Sequence, residues 1–388
     1  MESFDFIVIG GGMMGAPCAR YLAEAGHRVA LVCPPEPARY ADSAGPFASH
    51  WDAARITRHV ASDPVWARAS ARSIARYSDL EARSGRRIYH ETGALMAGLR
   101  DGPLADWTAG FLRVADGVEG AARLDAAEVR DRLGIALPVG AVSSFEATGG
   151  GWMDPRAMRA AQTELAQAAG ATLIPQAATA RAGGTVTLAD GSRLAGGHVV
   201  VATGPHAGSD GLLPARPAMT VWARTVAFAR LSEAEGARLA ALPSLIWVPE
   251  GWDHDLYMLP PVRYPDGRLY LKIGGQKDGP TIGSGGAMRD WFHGTGDPQV
   301  GARLLAEMRR VLPGLDVEAE RLGPCAVVWS RTGYPYIERL DEHVTVLCGG
   351  NGASAKCGDE WGRLGAVAAT GGDPSGEGYP EGFAAAWD

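Results

Sequence analysis

The sequence predicts an α/β protein: a Rossmann-like dinucleotide-binding domain with a second α+β domain built on a mainly antiparallel sheet. Three observations carry this. A strand, glycine loop, helix and second strand open the chain. Apolar runs near residues 198 and 344 read as later strands of the same sheet. Between about Pro217 and Gly286, strand-like segments follow one another with no helix between them.

Phe4 to Ile9 is a short, β-branched apolar run that stops at glycine, as a strand buried on both faces does. Gly10, Gly12 and Gly15 follow in G-x-G-x-x-G spacing, with Met13 and Met14 inside the loop. Gly10 permits the tight turn, Gly12 the approach of a pyrophosphate, and Gly15 close packing of helix on strand. The helix, Cys18 to Ala25 with Pro17 tolerated in its first turn, aims free N–H groups and its dipole at phosphate. Val29 to Val32 completes the β-α-β unit. At its end the acidic residue that binds an adenosine ribose is replaced by Cys33, and Glu36, three residues on, is the candidate substitute.

The composition sets bounds. The 388 residues can bury a core large enough for two domains. The net charge of -7, 37 basic against 44 acidic residues with no basic block, argues against nucleic acid. No apolar run reaches membrane-spanning length, and the N-terminal residues read as a core strand rather than a signal peptide. Five cysteines without C-x-x-C pairs suggest reduced thiols, with neither a disulfide framework nor a metal site. These readings predict a soluble, cytoplasmic protein.

After an irregular stretch from Pro34 to Asp52, Arg55 and Arg58 stand three apart and share a face if that piece is helical; alone, they read as a solvated basic face. Val65 to Arg83 reads as one long amphipathic helix, Ile88 to Met96 as a strand, and Leu124 to Leu133 and Pro155 to Ala168 as helices. Ala171 to Gln176 reads as a strand, and Thr185 to Leu194 as a hairpin turning at Asp190-Gly191. His198 to Gly204 returns to the first sheet, which puts Ala202 and Gly204 beside a ligand at the carboxyl ends of the strands.

The second domain contributes Val221 to Leu231, Ser244 to Val248, Leu256 to Leu259 and Leu269 to Gly274. Alternation in the last puts Leu269, Leu271 and Ile273 on one face and Tyr270 and Lys272 on the other, where a lysine ordinarily meets solvent. Gly301 to Leu312 reads as a helix. Val344 to Cys348 is a buried strand running through the glycine loop Gly349 to Lys356 into a helix from about Cys357 to Ala369, which aims a second helix N-terminus at the ligand.

Eight short pieces, taken in order, resemble the FAD-dependent D-amino-acid oxidase superfamily, especially its monomeric sarcosine oxidase and N-methyl amino acid oxidase branch. They are Phe6-Ile-Val-Ile-Gly-Gly-Gly-Met-Met-Gly15, Ser49-His50 with Arg55-Ile-Thr-Arg-His59, Glu91-Thr-Gly-Ala-Leu95 and Gly150-Gly-Trp-Met-Asp-Pro155, followed by Ala202-Thr-Gly204, Leu271-Lys-Ile-Gly274, Ser330-Arg-Thr-Gly-Tyr-Pro-Tyr-Ile337 and Gly350 to Lys356. The likeness runs from the start to about Gly371.

It implies an FAD-binding domain from residues 1–88, 149–215 and 323–388. The substrate domain, from 89–148 and 216–322, has an antiparallel sheet that roofs the isoalloxazine ring. FAD contacts implied are Gly10, Gly12, Met13, Met14 and Gly15 in the first loop and Cys33 at the ribose. Ser49, His50, Arg55, Ala178, Ala202 and Gly204 lie farther on. Gly350, Asn351, Gly352, Ala353, Ser354 and Lys356 make up the last loop, whose helix end suits the pyrimidine edge of a reduced flavin.

Arg58 and Lys356 are implied to hold a substrate carboxylate, Tyr257 to line the pocket, and Lys272 to activate oxygen. Several positions depart from the family. Anchored on Trp329, which replaces a pocket tyrosine, the cysteine that tethers flavin becomes Val327, with Cys325 two residues early, so noncovalent FAD is expected. Val327 also excludes the carboxylate-binding arginine of related oxidases, and Gln276 stands where a histidine is expected.

The expected reaction is oxidation of the C–N bond of an amino acid or N-substituted amino acid to an imine, by hydride transfer to flavin, with O2 reoxidising the flavin to give H2O2. The expected partners are a small carboxylate-bearing amine and O2, with no nucleic acid or membrane, in a monomer or small homo-oligomer. The alternatives are an FAD-dependent dehydrogenase with another acceptor, a nicotinamide-dependent dehydrogenase on the same β-α-β unit, and a flavin-binding subunit without turnover.

Overall fold

The strand Ser3–Ile9 is hydrogen-bonded on both sides within a parallel sheet. The computed structural model describes residues 3–38, 42–43, 51–209, 211–277, 279–283, 285–379 and 382–388; Ser49 and His50 lie outside them. Parallel strands run in the order Thr172–Ile174, Val29–Val32, Ser3–Ile9, Arg193–Val201 and Val344–Cys348. Tyr336–Arg339 adds antiparallel to the last, and a hairpin of Ala178–Ala182 and Thr185–Leu188 docks on the first half of Arg193–Val201. Both faces of the opening strand are covered: Phe6 and Val8 pack with the helices Gly15–Glu24 and Ser354–Ala369, Ile7 and Ile9 with the hairpin side.

Register decides where a ligand can sit. Ile9 is level with Val32 and Val201, and Val201 with Val346, so the parallel strands end together. The Gly10 loop, Cys33, Ala202 and the Gly349 loop therefore leave the sheet along one edge, where open α/β sheets bind ligands. Two glycines are obligatory there. Gly10 has φ +107° and a Cβ on it would meet the Ala202 carbonyl oxygen at 2.4 Å; one on Gly15 would meet the Gly10 carbonyl oxygen at 1.9 Å. We expect a Gly15→Val protein to be purified without flavin, as flavin absorbance per protein will report.

The second sheet runs in the order Ala319–Ser330, Met219–Leu231, Leu269–Gly274, Leu256–Arg263, Ser244–Trp247, Ala94–Gly98, Val142–Glu146 and Ala121–Asp125. Its pairs are antiparallel except that of Ser244–Trp247 with Ala94–Gly98. Leu271 and Ile273 face the helix Pro298–Val311 through Leu304, Leu305 and Met308. A short helix, Glu233–Arg238, interrupts a run expected to contain none; Ser232 caps it by accepting from the Glu235 N–H.

Other expectations need correction. The helix over 65–83 is two, Pro64–Ile74 and Tyr77–Ser84, and the turn between them carries Arg76 to Asp359 and Glu360 of the last helix, each at 2.9 Å. The strand over 88–96 splits into Tyr89–His90 and Ala94–Gly98 because Gly93, at φ +80°, turns the chain from a three-stranded sheet into the second sheet. Leu124 lies in the strand Ala121–Asp125 rather than starting a helix. Asp125 caps Ala126–Leu133 in a capping box with Glu128. Arg55 belongs to a strand, Arg55–Thr57, paired with Gly151–Met153, so the face it would share with Arg58 on a helix does not exist.

Candidate active site

A cavity of about 1210 Å³ lies along the edge where the parallel strands end, with strands of the second sheet as its other wall. From the first fold unit it takes Gly10, Gly12, Met13, Met14, Cys33, Ala178, Ala202 and Gly204. The last loop adds Gly350, Asn351, Gly352, Ala353, Ser354 and Lys356. From the other wall come Tyr257, Gln276, Cys325, Val327 and Trp329, with Arg55 and Arg58 between. Gly15 lies beneath the loop and is not in the lining; its part is packing.

The last loop is shaped by Asn351, whose φ of 45° is the only positive value of a non-glycine among the described residues. Its amide fixes the turn: Nδ2 donates to the Gly349 carbonyl at 2.8 Å and Oδ1 accepts from the Ser330 N–H at 2.8 Å. The helix Ser354–Ala369 thus starts at the cavity, its unpaired N–H groups and positive dipole end directed at whatever anion lies there. A long cleft with two glycine loops at strand ends and two helix N-termini fits an elongated dinucleotide.

Beyond the loops the wall is cationic. Arg58 is lodged between elements with Nε 3.1 Å from Met96 Sδ, and burial holds its guanidinium below the ordinary arginine range. Lys356 is 5% exposed, and burial, then the Arg58 charge, push its ammonium down to about 8. Glu146, 1% exposed, stands behind them: its carboxylate accepts from the His59 N–H at 3.0 Å and the Val60 N–H at 2.7 Å, which anchors the chain just after Arg58. Burial raises the Glu146 carboxyl, and the backbone N–H of Val60 opposes that shift. Trp107, Ile246 and Tyr257 supply apolar surface beside Arg58, and Asp255, its carboxyl raised by burial, lines the same region.

Lys272 does not meet solvent as its alternation suggested; it is 1% exposed. Its face of the sheet is covered by Ala53, Ala54 and the aromatic cluster of Phe228, Tyr264 and Tyr270. Nζ donates to Asp52 Oδ2 at 2.7 Å and to the Ala54 carbonyl at 2.6 Å. Asp52 also pairs with Arg55 and accepts from the Tyr264 hydroxyl at 3.0 Å. Burial, and next the charge of Arg55, hold Lys272 well below the ordinary lysine range. Lys272 is not among the lining residues: Arg55 and Tyr257 stand in the wall, and Nζ lies 5.9 Å from the Tyr257 ring centre.

Asp52, Glu146, Asp255 and Arg159 did not stand out in the sequence. No spacing announces them, because each acts on residues far along the chain; Asp52 and Lys272 are 220 positions apart. Among the described residues no group of three or more His, Cys, Asp or Glu side chains can hold a metal ion, and no helix is long and apolar enough to cross a membrane.

The fold is similar to those of known proteins. NikD, described as an unusual amino acid oxidase essential for nikkomycin biosynthesis, is 25% identical with a TM-score of 0.75, over 96% of this chain and 95% of that one. Iminodiacetate oxidase (IdaA) from Chelativorans sp. BNC1 is 20% identical with a TM-score of 0.71, over 95% of each chain. Glycine oxidase from Geobacillus kaustophilus is 17% identical with a TM-score of 0.70, over 100% of this chain and 99% of that one. No curated protein sequence matches. The family model described as DAO, FAD dependent oxidoreductase, matches residues 5–366, and with the two glycine loops in place this chain belongs to that family of FAD-dependent oxidoreductases.

Proposed function

We propose that this protein oxidises the C–N bond of a carboxylate-bearing amine, an amino acid or N-substituted amino acid, to an imine, with O2 as final acceptor. The observation that carries this reading is the paired cation site of Arg58 and Lys356 beside apolar Trp107, Ile246 and Tyr257, in the cavity that ends the two glycine loops. FAD, when bound, supplies the two-electron acceptor that takes hydride from the substrate carbon and passes the electrons to O2, giving H2O2. Arg58 grips the carboxylate by its forked donors and Lys356 adds a point charge, which together fix the orientation of the carbon beside the amine. The relatives' names, amino acid oxidase, iminodiacetate oxidase and glycine oxidase, support an amine that carries a carboxylate.

The flavin is held without a covalent bond in this reading, because Val327 occupies the tethering position. Gly10, Gly12, Met13 and Met14 would hold the pyrophosphate, Cys33 would lie at the adenosine ribose, Ala178, Ala202 and Gly204 would line the cleft between, and Gly350 to Ser354 would meet the pyrimidine edge. Lys272 acts on O2 through its charge, from behind Arg55. That recessed position and the Asp52 ion pair favour a second reading, a dehydrogenase that passes electrons to another acceptor.

Acid precipitation tests the tether: release of yellow colour supports noncovalent FAD, and colour kept in the pellet shows a covalent flavin and makes Cys325 the candidate attachment. An anaerobic screen of amino acids and N-methyl amino acids for flavin bleaching then tests the substrate class. Peroxide production that is lost in Lys272→Met supports the oxidase; reoxidation by dyes alone establishes the dehydrogenase reading. The titration of Lys356 sets the pH behaviour. Affinity for a carboxylate inhibitor, read from the flavin spectrum, is expected to fall as pH rises through about 8, because the ammonium loses its proton there.

A further inference from the structure

In nucleotide-binding β-α-β units the second strand ends in a carboxylate that accepts hydrogen bonds from ribose hydroxyls. Here that position is Cys33, 5% exposed, whose thiol is a weak acceptor and is kept protonated because burial raises its pKa. Beside it stands a cation. Arg159, on the helix Pro155–Ala168, donates from Nη2 to Cys33 Sγ at 3.4 Å and from Nε to the Gly11 carbonyl at 3.0 Å, and it lines the cavity.

Those two contacts engage two of the five N–H donors of the guanidinium. Among the described residues no carboxylate lies within 4.0 Å of Arg159. The nearest acidic residue by sequence to Cys33, Glu36, is held instead by Arg156 at 2.5 Å, and Arg156 lies 4.4 Å from the centre of the Trp51 ring. The position thus holds a neutral thiol beside an arginine that has no carboxylate partner among the described residues. That arginine leans on the loop whose N–H groups receive a pyrophosphate, so the ligand itself must bring the negative charge and the acceptor oxygens.

We propose that Arg159 does the work of the missing acid, binding the adenosine half of FAD by donating to its ribose and the adjoining phosphate oxygens. The chain recognises that half of the cofactor with a cation where other members of this architecture use an anion. Glu36, which also lines the cavity, is paired with Arg156, whose guanidinium lies over Trp51.

The test is the dissociation constant of FAD and of FMN for FAD-free protein, followed by quenching of flavin fluorescence. FMN lacks the adenosine half and reports on the rest of the cleft. Arg159→Ala, and Arg159→Gln as the less disruptive variant, will weaken FAD by about tenfold or more and leave FMN unchanged. Cys33→Asp supplies the sharper contrast. In the native background the new carboxylate will pair with Arg159 and weaken FAD; combined with Arg159→Ala, it will strengthen FAD relative to Arg159→Ala alone.

Native FAD affinity in the Arg159 variants overturns the proposal. So does equal weakening of FAD and FMN, which marks a structural role, and so does tighter FAD binding by Cys33→Asp in the native background.

Discussion

Replacing Asp52 with asparagine will destabilise the protein by about 3–5 kcal/mol, the cost of leaving a buried charge without its partner. Asp52 is the shared counter-ion of Lys272 and Arg55, and the Lys272 side chain is 1% exposed against 10% for Asp52. Its carboxylate offsets the desolvation of Nζ, which otherwise has the Ala54 carbonyl as its hydrogen-bond acceptor. Without Asp52 the ammonium must stay charged in an apolar cluster or lose its proton, and each costs free energy. The double variant Asp52→Asn with Lys272→Met will recover most of the loss, because it removes the more deeply buried of the two charges that Asp52 pairs and leaves an apolar side chain among Phe228, Tyr264 and Tyr270. Urea unfolding of the two single variants, the pair and the parent measures this coupling. Additive losses would show that the pair contributes nothing.

Replacing Arg58 with methionine will weaken a carboxylate inhibitor by about 30-fold or more, since truncating one member of a buried charged pair costs about 2–5 kcal/mol. The loss will fall on binding while leaving the FAD spectrum of the free protein in place, because the glycine loops do not rest on Arg58. Methionine fits because Arg58 Nε already lies against Met96 Sδ in a partly apolar wall. With Arg58 gone, the pH-dependent fall in affinity will move above about 8, because the Arg58 charge is one of the two leading causes that depress Lys356. A spectral titration with the inhibitor at several pH values reads both effects. A midpoint that stays put would mean the two cations do not share a site.

The local part of this molecule was legible in the residues. Glycine spacing, the β-branched runs at Phe4–Ile9 and Val344–Cys348, and the Asp190-Gly191 turn each encode a short-range preference that the fold keeps. Alternation in Leu269–Gly274 also assigned faces properly: Leu271 and Ile273 pack on the helix Pro298–Val311. What alternation could not say was what covers the other face. A period of two separates two sides of a strand and carries no information about either environment. Lys272 therefore read as solvated, when residues 52–54 and three aromatics enclose it.

Chain breaks were lost for a related reason. The split at Gly93 and the turn before Tyr77 serve partners in other sheets and helices, Gly150 and Glu360 among them, that no window of neighbouring residues contains. By itself the sequence determined the sheet that carries the nucleotide loops, and through the ordered motifs the family and its cofactor. Only the tertiary structure decided the charges around the site: Asp52 on Lys272, Glu146 behind Arg58, and Arg159 on Cys33. Hydrogen bonds and charge pairs act over a few ångströms in space, and folding brings together side chains 126 and 220 positions apart. Residue order alone does not hold those distances.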